Sequence, residues 1–209
     1  MQPKFLHMKP ETSKFVSKVK DELQARGIEL YLSNHCSVNF NEDHTRVSGY
    51  WDEEAKKMTV AVGMSERNWV GSLVHEYAHF CQYVEKCPVW RHANRYNSLW
   101  AWLIGNKDLQ TDALMKEIKA VRNMELDCER RTVKLIKKYH LPVPIEWYIR
   151  GASAYIYYYN FLPECRKWFS PKMAPCNIVA VMNAMPTSLR GQFKTLPNDI
   201  AKIYRRYYL

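Results

Sequence analysis

The run from Ser65 to Pro88, SERNWVGSLVHEYAHFCQYVEKCP, constrains this chain more than any other. Val70, Leu73, Val74, Tyr77, Phe80, Cys81 and Val84 recur at helical spacing, and no proline interrupts them before Pro88. Ser65 suits the N-cap, and Glu66 in the first turn complements the helix dipole. The spacing predicts a helix from Ser65 to about Lys86. Yet its apolar face carries His75, Glu76 and His79. Positions four apart share a helix face, so the two imidazoles lie side by side. Burying them with a carboxylate costs several kcal/mol unless they are paired or metal-bound. Whatever fold this helix enters must accommodate a polar cluster within its core.

The flanking sequence supplies that core. PETSKFVSKVKDELQARG reads as a first helix, with Phe15, Val16, Val19 and Leu23 on one stripe, Thr12 or Ser13 as N-cap and Gly27 beyond its end. IELYLS follows as a strand, and SVNF and TRVSGYWD read as short ones. KMTVAVG is a firmer strand, joined to GYW by the polar hairpin connection DEEAKK. Residues 88–106 are rich in Trp and carry no clear period. A long helix is expected from about Leu109 to Tyr139, stopped by LPVP, and another over IEWYIRGASAYIYYYNFL. The tail from Pro163 reads as irregular, with short helices wrapping the core. The predicted class is α+β, mostly helical. The chain reads as a single domain: residues 1–64 give a helix and a small sheet, 65–162 a helical core, and 163–209 a wrapping segment.

Composition narrows the function. Of 209 residues, 47% are hydrophobic and 13% aromatic, which opposes disorder. No run approaches the 18 apolar residues of a membrane span, and the amino end lacks the apolar stretch of a signal peptide. A cytoplasmic setting is therefore expected. The six cysteines show no C-x-x-C spacing, which favours reduced thiols over a disulfide framework or a cysteine zinc site. A net charge of +10 favours acidic partners, nucleic acid among them.

H-E-x-x-H on a helix aims both imidazoles at one zinc ion and sets the intervening glutamate beside it as general base. His75 and His79 are the expected ligands and Glu76 the base. A third ligand must come from elsewhere. Glu85 stands where metzincins place their third His, but Gln82 replaces the glycine that their turn requires, so a continuing helix aims Glu85 away. His92 lies in the kind of downstream region from which SprT-like proteases draw theirs. RNMELDCERR offers Glu125 and Glu129 four apart on the long helix, with Cys128 next to the Glu125 face. Gluzincins supply a ligand and an orienting acid from such a pair. Glu125 is taken as third ligand and Glu129 as its supporting acid, with Glu129 or His92 as the alternatives. The MTVAVG strand is expected at the sheet edge above the helix, where extended substrate could add as a strand.

HEYAHFCQ, SLWAWL, MELDCERRTVKLIKKYHLP, YIRGASAYIYYY and RKW, in that order, resemble an uncharacterised group of phage-type H-E-x-x-H metallopeptidases over roughly residues 55–170. The resemblance implies a minimal gluzincin-like, zincin-like fold. It also implies one metal held by His75, His79 and the ELDCE segment, in a viral or bacterial-cytosol setting. It names no substrate.

The expected activity is zinc-dependent peptide hydrolysis of a protein or peptide substrate. An oxyanion donor would come from Tyr148, Tyr155 or Tyr159, which share a helix face, and Arg150 lies on the same helix. Trp90, Trp100 and Trp102 read as core packing ahead of cleft walls. KLIKKYH and IAKIYRRYYL interleave basic and aromatic residues as nucleic-acid grooves do, although solvated helix faces carry the same pattern. Two other classes stand beside the peptidase. One is a nucleic-acid-associated basic protein on a zincin scaffold, including a DNA-associated protease. The other is a catalytically idle, zinc-stabilised binding module.

Overall fold

The computed structural model describes residues 8–40, 46–96, 98–191 and 193–209. They form eight α-helices and five short strands: α1 (Pro10–Gln24), β1 (Glu29–Ser33), β2 (Val38–Asn39), β3 (Arg46–Val47), β4 (Gly49–Asp52), β5 (Lys57–Ala61), α2 (Glu66–Glu85), α3 (Pro88–Ala93), α4 (Leu99–Leu103), α5 (Thr111–Lys138), α6 (Ile145–Cys165), α7 (Val179–Ala184) and α8 (Asn198–Tyr208). The class is α+β, mostly helical, with a small N-terminal sheet. The chain divides into two compact units, residues 1–81 with 131–145, and residues 82–130 with 146–209. The division runs through α2 and α5, each a single unbroken helix. No helix among the described residues is long and apolar enough to cross a membrane.

In the first unit, three strands pair in the order β1-β5-β4, parallel between β1 and β5 and antiparallel between β5 and β4. The hairpin expected over DEEAKK is present: Asp52 pairs with Lys57, and the Asp52 carboxylate accepts the amides of Glu54 and Ala55 to turn the chain. β5 was expected at the sheet edge and lies instead in its middle. Its burial explains this, since Met58, Thr59, Val60 and Ala61 are all buried. A strand covered on both faces is a central strand. The outer strands of this sheet are β1 and β4. β2 and β3 pair separately, and Thr45, included in the predicted strand, lies outside the described residues.

α1 begins earlier than its Thr12 or Ser13 cap would place it, with Pro10 in its first turn. Glu66 of α2 takes the capping role from a distance, accepting the Lys9 amide at 3.1 Å and the Thr12 hydroxyl at 2.8 Å. Phe15, Val19 and Leu23 are buried, as are Leu73, Val74 and Phe80 of α2, and the Phe15 ring meets Tyr77 edge-on at 5.7 Å. Truncating a side chain as buried as Leu73 to Ala costs about 2–5 kcal/mol. The connection from β5 to α2 requires glycine at 63, because a Cβ there would stand 2.5 Å from the Asn34 carbonyl oxygen.

The second unit is helical. Its core gathers Leu114 and Ile118 of α5, Tyr158, Phe161 and Leu162 of α6, Val181 of α7, and Ile200 and Tyr204 of α8. Trp102 is buried in this core, with the Arg166 guanidinium 5.0 Å above its ring. Trp100 and Trp90 edge against Trp168 and Tyr83. The tail expected to be irregular holds two 3-10 turns (171–173 and 175–177) and the short α7, but ends in the 11-residue α8.

Candidate metal centre

On α2, His75 and His79 stand with ring centroids 4.7 Å apart and planes at 86°, the arrangement that i and i+4 positions predict. His79 and Glu76 are buried and His75 is partly so. The Glu76 side chain lies against β4 at Gly49. A Cβ on residue 49 would come within 3.3 Å of the Glu76 Cγ and 3.0 Å of the Thr59 carbonyl oxygen. Glycine in the strand leaves the room that this carboxylate occupies. Sequence reading missed that role, since a lone glycine among strand residues carries no such signal.

Further along α2, Gln82 is fully buried, and its amide donates to the Met124 carbonyl at 3.0 Å and to Asp127 at 2.9 Å. α2 remains helical past this point, and Glu85 is exposed, as a helix without the glycine turn requires. His92 is exposed on α3, its ring edge-on to Tyr96 at 5.4 Å.

The α5 residues singled out from sequence are all buried: Glu125, Cys128 and Glu129. Tyr148 of α6 donates to Glu129 at 2.6 Å. Tyr155 and Tyr159 share a hydrogen bond of 2.9 Å between their hydroxyls. Burial pushes both phenols well above their usual range, and the charge of Glu125 adds to it. The three tyrosines therefore do share the face that their spacing predicts, and it is the face toward the two glutamates. Arg150 is engaged elsewhere, donating to the carbonyls of Met182, Asn183 and Met185 to close the C-terminal end of α7.

Among the described residues, one group offers metal-ligand atoms in close proximity: His75, His79 and Cys128, within 4.8 Å of one another. Cys128 stands in this group, where the sequence reading placed Glu125, one helical turn earlier on α5. The donor set suits a divalent transition ion. Two imidazoles and a cysteine sulfur are ligands that zinc and related soft divalent ions accept, unlike magnesium or calcium, which take oxygen.

Comparison with protein-family models, curated proteins and solved structures finds no match for this chain.

Proposed function

We propose that this chain is a zinc-dependent hydrolase of peptide bonds, with the metal held by His75, His79 and Cys128. The observation that carries the reading is the convergence of these three ligand atoms within 4.8 Å, with Glu76 next to His75 in the helix. Zinc bound there would supply a Lewis acid that acidifies a water molecule. Glu76 then accepts a proton at its carboxylate and returns it to the departing amine. Gly49 gives that carboxylate its place against β4. Glu129, held by Tyr148, and Glu125, beside Tyr155 and Tyr159, form a buried acidic face on α5 that orients the ligand residues between and around them. β4, an outer strand beside β5, leaves one edge for an extended peptide to pair with. A cytoplasmic setting and a protein or peptide substrate belong to the same reading.

The test is metal content and cleavage measured together. Purified under non-chelating conditions, the chain is expected to carry one zinc and to cut members of a random peptide library. Glu76→Gln keeps the zinc and loses cleavage by at least about a hundredfold, the low end for a general base. A wild-type chain without metal, or a Glu76→Gln chain that cleaves normally, overturns the proposal.

A further inference from the structure

The charge of this chain is unevenly placed. Residues 1–130 hold eighteen Lys and Arg against eighteen Asp and Glu, while residues 131–209 hold thirteen against three. Within residues 146–209, Glu146 pairs with Arg150 and Glu164 with Arg205, so two of the three carboxylates are already neutralised. Lys167, Lys172, Lys202 and Arg206 are exposed and form no ion pair among the described residues.

Three segments of the second unit that carry these cations meet at one aromatic hub. The Tyr158 ring packs edge-on against Trp168, Phe169, Tyr204 and Tyr208, and its hydroxyl donates to the Lys167 carbonyl at 2.9 Å. Tyr208 donates to the Met173 carbonyl at 2.8 Å, which ties the turn bearing Lys172 to the end of α8. On α8, Lys202 and Arg206 are four residues apart and share a face. The Arg206 guanidinium lies 5.9 Å from the ring centroid of Tyr207, which is 37% exposed.

We propose that this basic surface binds single-stranded nucleic acid, with Lys167, Lys172, Lys202 and Arg206 on the phosphates and Tyr207 under a base. A cation beside an exposed aromatic ring, with further unpaired cations on the segments that meet its helix, matches a strand that presents phosphates and π-faces in alternation. An anionic membrane fits less well. A helix that enters a bilayer surface offers it an apolar face, and the apolar face of α8 (Ile200, Ala201, Tyr204) is buried in the core of its own unit. The inference does not rest on the metal reading.

The experiment is fluorescence anisotropy of the full chain with a labelled 20-nucleotide oligothymidylate across a salt series. Four phosphate contacts predict a slope of log K against log salt of about −2 to −3. Lys202→Glu with Arg206→Glu removes two of them and weakens binding about twentyfold at 0.1 M salt. Lys167→Glu with Lys172→Glu does the same from a different segment. Tyr207→Ala weakens binding at least about fivefold without altering the slope, the mark of a stacked base. The matching reversal in the first unit, Lys14→Glu with Lys20→Glu, changes binding less than about twofold, since binding on this reading is confined to the second unit. A salt-independent signal, an equal loss in that control, or equal affinity for polyglutamate or phosphatidylserine vesicles overturns the proposal.

Discussion

Two faces of α2 handle polar side chains in opposite ways. On one, Tyr77 donates to Glu22 of α1 while Lys18 donates to both. Burial alone would raise the Glu22 carboxyl; the hydrogen bonds from Lys18 and Tyr77 and the charges of Lys18 and Arg26 outweigh it, holding the group below the ordinary carboxylate range. A cation, an anion and a hydroxyl complete one another. On the other face, His75 and His79 converge with Cys128, and all three present lone pairs. Two imidazoles and a cysteine sulfur this close together could hold a metal ion. One polar cluster on this helix is closed by its own partners, and the other could hold a metal ion.

The contrast breaks most readily at the metal. Cys128→Ala is expected to weaken zinc binding more than a hundredfold, beyond what loss of a supporting residue costs, while Glu125→Ala stays at or below that mark. The reverse order, read by competitive zinc titration, would return the third position to Glu125. Gly49→Ala comes next. Its Cβ presses on Glu76 and the Thr59 carbonyl, so stability should fall by about 1–3 kcal/mol in chemical denaturation, with zinc retained and cleavage reduced. Tyr77→Phe removes a hydrogen bond to a charged group and should cost about 1.5–3 kcal/mol, discounted toward the lower figure by the exposure of Glu22, with zinc affinity unmoved. A change in zinc affinity there would show that the two faces are not separate. The smallest effect belongs to pH. Because the folded Glu22 pKa is lowered, its contribution is present above the unfolded value of 4.5 and is lost as pH falls through the folded one. Glu22→Gln should therefore flatten the acid limb of the stability profile, measured by thermal melts between pH 3 and pH 6.

What could be read in advance follows from how local the cause is. α2, α5 and the β4–β5 hairpin were legible because a stripe of apolar residues or an Asx turn is written within a few positions. The start of α1 was not, because the partner that caps Lys9 and holds Thr12 is Glu66, 57 and 54 residues away. β5 was assigned to an edge although its unbroken apolar run, MTVAV, describes a strand covered on both sides. The two histidines announce themselves through their spacing. Their neighbour does not: Glu125, Cys128 and Glu129 occupy adjoining positions on one stripe, and it is packing that brings Cys128 within 4.8 Å of the two histidines. The basic C-terminal surface was visible as a pattern of residues, but its hub at Tyr158 joins segments that sequence proximity does not connect.

Gln82 has a further consequence. Its amide nitrogen has two hydrogens, and both are spent, one on the Met124 carbonyl and one on Asp127. An α-helix turns about 100° per residue, so a helix that rolled by even a fraction of that step would break both bonds together. The amide thus acts as an index pin on the rotational phase of α2. His79 stands three residues before it, and its imidazole inherits that azimuth. The azimuth of His79 is thus referred to a side chain outside the group of His75, His79 and Cys128.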